Sequence, residues 1–141
     1  MTLQLVNALS TWYLVGLIWL VHAVHYPLMA QVGEERFVAY ERAHTARITP
    51  VVGPAMGLEL VTSGWLAFEP PPQPAAVWWW VAFGLCASTW ALTGLVAVPC
   101  HGQLADGFDP DAHRRLMVAN RWRTLAWSAR GGLVAWFLAG A

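Results

Sequence analysis

From Leu3 to Tyr26 the chain carries no formally charged side chain, and the same holds from Ala75 to Val98. About 20 mostly apolar residues are enough to carry a helix across roughly 30 Å of hydrocarbon. Two further stretches have that length. Ile48 to Phe68 holds one charge, Glu59, while Trp122 to Gly140 holds Arg123 near its start and Arg130 inside. The expected fold is therefore all-α, a four-transmembrane-helix bundle forming a single integral membrane domain over 1–141, with spans of about 3–26, 48–68, 75–98 and 122–140.

Composition supports this reading. Of 141 residues, 57% are hydrophobic and 11% charged, against about 45–50% and about 25% in a soluble domain. A soluble domain of this length could not hide so much apolar surface. The formal net charge is +0, so there is no basic excess of the kind nucleic-acid binding requires. The two cysteines, Cys86 and Cys100, are too few for a disulfide framework.

The basic residues are all arginines, and they are unevenly placed. Arg36, Arg42 and Arg47 lie in or beside the first connection, and Arg114, Arg115, Arg121 and Arg123 in or beside the third. The middle connection and both termini have none. The positive-inside rule then puts the first and third connections in the cytoplasm and both termini outside, in an inner-membrane placement. The first span lacks a preceding basic residue and is too long for a signal-peptide core, so it is expected to be retained.

Local signals refine the elements. Pro27 and Pro99 are expected to close the first and third spans, because proline lacks the N–H that continues a helix. Phe37, Tyr40, His44 and Ile48 recur at helical spacing, so the second helix should begin near Glu34, with Glu34, Glu35, Glu41 and Arg42 mostly on other faces. Asp109-Pro110 reads as a cap and first position of the fourth helix. Each half has a span, a closing proline, a connecting glycine (Gly33, Gly107) and an arginine-bearing entry, as expected of a two-fold repeat of helical hairpins. Gly53 and Gly57 have a spacing that permits close helix approach.

His22, His25, His44 and His101 all fall at the cytoplasmic ends of spans. His22 and His25 are spaced i, i+3 and would share one α-helical face. Asn120 and Arg123 lie at the same level on the fourth helix. Imidazoles on different helices suit a transition metal (iron, copper or zinc) or a haem, with His25, His44 and His101 as ligands and His22 and Asn120 completing the cofactor's surroundings. They also suit proton handling, since histidine titrates near neutral pH, or simple contact with headgroups. Glu59 and Arg130 are ionisable groups within hydrocarbon, where functional roles concentrate. They could form a structural pair, or Glu59 could act as a base with Arg123 and Arg130 orienting an oxyanion. His113, Asn120, Arg123, Trp127 and Arg130 share one face of the fourth helix, which should point into the bundle.

The run Val98-Pro-Cys-His-Gly-Gln-Leu104, an acidic loop, and Asn120-Arg-Trp-Arg-Thr124 leading to Trp127 and Arg130 resemble the small four-helix membrane proteins grouped with anthrone oxygenases. The resemblance covers mainly residues 96–130. It implies oxygenation of an aromatic, quinone-forming substrate without a cofactor, and it does not extend to His22, His25 or His44. Three functions are open at this point. One is an oxidoreductase or oxygenase-like enzyme working on a lipophilic substrate. The others are a small proton, metal or solute transporter, and a non-catalytic subunit. Expected partners are membrane lipid, a lipophilic small molecule and further copies of the chain, without nucleic acid.

Overall fold

A computed structural model describes residues 1–140. Within them the chain is all helical: α1 (Thr2–Met29), α2 (Glu34–Phe68), α3 (Ala76–Leu104) and α4 (Pro110–Ala139). α1, α2 and α3 are long and apolar enough to cross a membrane. α4 falls short on composition, because Arg114, Arg115, Arg121, Arg123 and Arg130 lie along it. It nevertheless packs against both α1 and α3, while α2 packs against α1 and α3, closing a ring of four. Pairings of Asn7 with Thr62 and His25 with His44, and of Asn7 with Arg130 and His22 with Asn120, show that α1 runs antiparallel to both α2 and α4.

The helix starts follow local chemistry. α2 begins at Glu34 after Gly33, with Glu34 and Glu35 in its first turn, where the helix dipole favours negative charge. At 35 residues it is far longer than a span needs, and its apolar stretch begins only at Ile48. Asp109 caps α4, its carboxylate accepting from the Asp111 and Ala112 amides at 2.8 and 3.2 Å, with Pro110 at the first position.

Pro27 and Pro99 do not close their helices. α1 continues to Met29 and α3 to Leu104, each through a π-helical segment just before the proline: Val21–His25 and Thr93–Ala97. In both, the π segment ends two residues before the proline. The wider turn accommodates a residue that can neither donate an amide hydrogen bond nor fit the preceding turn of an ordinary helix.

Three apolar clusters fill the bundle. Tyr26, Met29, Phe37, Leu104 and Leu116 form one at the arginine-rich end. Leu14, Ile18, Met56 and Trp127 lie in the middle, and Ala8, Leu66, Trp79 and Phe137 form the far end. Of the Trp78–Trp80 run, Trp79 is buried against Phe137 while Trp78 and Trp80 face outward. Gly53 and Gly57 approach no other helix. The close approach is instead at Gly131, where a Cβ would stand 3.2 Å from Val15 Cγ2.

Candidate functional site

Two polar layers cross the bundle, separated by the middle apolar cluster. The first surrounds Glu59 and Arg130. Arg130 Nη1 donates to Glu59 Oε1 at 2.8 Å, Nη2 to Asn7 Oδ1 at 3.0 Å, and Nε to the Ala82 carbonyl at 3.1 Å. The guanidinium also donates to Thr11 Oγ1 and Ser63 Oγ. A guanidinium has five N–H donors, and here every one has an acceptor. Glu59 also accepts from Trp127 Nε1 at 2.9 Å and Thr11 Oγ1 at 2.9 Å. Both charged side chains are almost wholly buried, at 0% and 1% exposure. Neither residue lines the cavity described below.

The second layer lies toward the arginine-rich end. His25 Nε2 and His44 Nδ1 are hydrogen-bonded at 2.8 Å, with the Tyr40 hydroxyl 3.3 Å from the same His25 nitrogen. His101 packs beside His44 with the two rings tilted and their centroids 5.4 Å apart. Its Nδ1 is 2.5 Å from Glu41 Oε1 and its Nε2 is 2.9 Å from the Tyr26 hydroxyl. His25, His44 and His101 therefore meet, as their positions at the helix ends suggested. Both nitrogens of His101, however, are taken by Glu41 and Tyr26. Among the described residues no group of three His, Cys, Asp or Glu side chains is arranged to hold a metal ion.

His22 does not join this group. It sits near Asn120, with His22 Nδ1 and Asn120 Nδ2 3.5 Å apart. The reason is the π segment, which contains both His22 and His25. A π turn holds more residues than an α turn, so an i, i+3 pair no longer shares a face. His25 turns toward α2, and His22 toward α4. The fifth histidine, His113, approaches the Tyr26 carbonyl through Nε2 at 2.9 Å and donates to it.

Arg123 is the odd member of the layer. It is 5% exposed, yet among the described residues it is in no ion pair. Nη1 donates to Asn120 Oδ1 at 3.3 Å, the guanidinium lies 5.1 Å from the centroid of the Trp127 ring, and Nε has no acceptor. His44 Nε2 and Glu41 Oε2 are likewise buried without a partner. A cavity of ≈ 40 Å³ joins two of these atoms' residues: Arg123, His44, Tyr26 and Trp127 line it together with Leu14, Ile18 and Val52. On the other side of His44 a groove of ≈ 370 Å³ opens outward between Tyr40, His25, Arg47 and Val51. His44 thus forms part of the wall between an inner apolar chamber and an outer groove. Burial lowers its pKa to about 4, reinforced by His25 and His101 and opposed by Glu41, so it is a neutral imidazole at neutral pH.

Sequence reasoning missed Glu41, which is 0% exposed. The signal was present: Phe37, Glu41 and His44 are spaced i, i+4, i+7 and so share a face. It also missed Asn7 and Thr11, spaced i, i+4 within the first apolar stretch. On α2, Glu59 and Met56 meet the polar face of α4, whereas Arg47 and Gly53 are exposed. No family model, no curated protein and no solved structure matches this chain.

Proposed function

We propose that this chain is an integral membrane enzyme of the oxidoreductase or oxygenase-like kind, acting on a lipophilic substrate with a weakly acidic O–H or C–H group. In this reading all four helices cross the bilayer, the arginine-rich end faces the cytoplasm, and the two hairpins are a repeat. The matching π segments before Pro27 and Pro99 favour that repeat.

One observation carries the functional reading: Arg123 is a buried cation without an anionic partner, across a small apolar cavity from His44. Burying a charge is costly unless it is compensated, so a site built this way favours a ligand that supplies the anion. The ≈ 40 Å³ chamber has room only for the anionic head of a ligand, and the ≈ 370 Å³ groove on the other side of His44 has the volume for its apolar body. The substrate enters from the bilayer through the groove beside Arg47 and Val51. His44 Nε2, neutral and without a partner, accepts a hydrogen bond from the acidic group, the proton leaves to solvent through the outer groove, and Arg123 holds the resulting oxyanion. An anion of this kind is the electron-rich form that molecular oxygen or a quinone can oxidise. Glu59 and Arg130 then serve as a structural lock rather than as the base and its partner. Glu41 positions His101, and through Tyr26 the wall of the cavity.

A lipophilic nitrophenol tests this directly, because its ionised form absorbs at longer wavelength. Bound to purified protein, it should ionise at a lower pH than when free in the same detergent. Arg123→Gln should abolish the shift and Arg123→Lys should retain part of it. An unchanged titration in the parent protein would sink the reading. A transition metal or haem on His25, His44 and His101 would have to displace the Glu41 and Tyr26 contacts of His101. Metal analysis and visible absorption, beside His44→Gln, decide that alternative.

A further inference from the structure

The side of the bundle formed by α3 and α4 carries two depressions that share Leu92 and Trp122, and so form one continuous groove. The deeper-lying part, ≈ 650 Å³, runs between Leu85, Ser88 and Ala91 on α3 and Leu125, Ala126 and Ala129 on α4. The other part, ≈ 310 Å³, ends at Arg114 and Arg115. We propose that this groove holds one anionic phospholipid, with its phosphate at Arg114 and Arg115 and an acyl chain along Leu92, Trp122 and Ala126.

Charge and length both support that occupant. Basic pockets between helices at the cytoplasmic side of a membrane protein suit anionic headgroups. Among the described residues Arg114 pairs only with Asp111, at 3.0 Å, and both side chains are about three-quarters exposed (75% and 73%). An exposed pair of this kind contributes little, so Arg114 can turn to a phosphate. Arg115 is held by the neutral Gln103 Oε1 at 2.5 Å. The nearby Asp109 carboxylate is already engaged by the amides it caps. From Arg115 to Ala129 the helix rises about 21 Å at 1.5 Å per residue. One leaflet presents about 15 Å of hydrocarbon and roughly 6 Å of headgroup, which matches. The small side chains of Ser88, Ala91, Ala126 and Ala129 leave the groove open along that length, while Trp122 flanks it at 58% exposure.

The experiment is native mass spectrometry of the full chain released from nanodiscs of equal phosphatidylglycerol and phosphatidylcholine. One retained phosphatidylglycerol is expected, preferred roughly twenty-five-fold, since each of the two basic residues near a bilayer surface adds about a factor of five. Arg114→Gln with Arg115→Gln should remove the preference. Arg36→Gln with Arg42→Gln, an equal charge change at exposed positions away from the groove, should keep it. Ala91→Phe with Ala129→Phe should reduce retention although both arginines remain. Equal retention of the two lipids would overturn the proposal, as would equal loss in the Arg36 and Arg42 control. Displacement of the lipid by glycerol phosphate at matched concentration would mark a phosphate site and not a lipid site, and would overturn it too.

Discussion

Arg123 and Arg130 are two turns apart on one face of α4 and nearly equally buried, yet their surroundings are opposite. Arg130 has a carboxylate and an acceptor for every N–H. Arg123 has one side-chain amide oxygen, the neutral Tyr26 hydroxyl nearby, an aromatic ring and an unpartnered Nε. A saturated guanidinium can gain nothing from a ligand and loses heavily if disturbed. An unsaturated one beside a cavity can gain a partner. The same residue type, at nearly the same burial, is a saturated fastener in one place and an unsaturated cation in the other.

That contrast is open to attack by mutation. Removing one partner of a buried pair costs about 3–5 kcal/mol, because the other charge is left alone. Arg130→Met should therefore lower stability by about that amount in thermal unfolding of detergent-purified protein, and Glu59→Gln in the same background should recover part of it. An Arg130→Met protein as stable as the parent would remove the distinction at its root. Next in size is Glu41→Ala, which leaves His101 Nδ1 without its carboxylate. Hydrogen bonds to charged groups contribute about 1.5–3 kcal/mol, and the loss should lie in that range.

Acid should act through His44. Its folded pKa, about 4, lies below the ordinary 6.5, so the unfolded chain binds the proton first. Stability is then fully present above pH 6.5, declines as pH falls toward 4, and levels off below. The difference in melting temperature between pH 7 and pH 4.5 should be smaller in His44→Gln; an identical difference would remove His44 as the cause. The smallest effect is expected at Arg123. Replacing an unpaired buried charge by Met removes a desolvation cost along with one hydrogen bond worth about 1 kcal/mol, so stability should fall by no more than about 1 kcal/mol, while the downward shift in the ionisation of bound nitrophenol is lost. A large stability loss at Arg123 would make it a second fastener, and the comparison would collapse.

Much of the architecture was legible because it depends on long windows. Twenty uncharged residues are hard to place anywhere but in a helix of this kind, and the Glu34 start, the Asp109 cap and the inward face of α4 rest on spacing alone. The Glu59–Arg130 pair was readable because two lone charges in apolar stretches have few alternatives. What stayed hidden depends on small departures from ideal geometry. The π segments carry α1 and α3 past their prolines and turn His22 away from His25. Glu41 looked like one of several solvated acids, because its neighbours Glu34, Glu35 and Arg42 are exposed. The polar acceptors around Arg130 are individually ordinary, and only the crossing of α1, α2 and α4 makes them a set.

Trp127 touches both arginine environments. Its indole N–H donates to Glu59 Oε2, while its ring lies under Arg123 and lines the cavity. An indole N–H can only donate, so the ring's tilt beneath Arg123 is dictated by where Glu59 holds that hydrogen. Substitutions at Glu59 and Arg123, which do not touch each other, should therefore show epistasis in a double-mutant cycle. The permissible chemistry at the cavity would then be heritable only together with the fastener beside it.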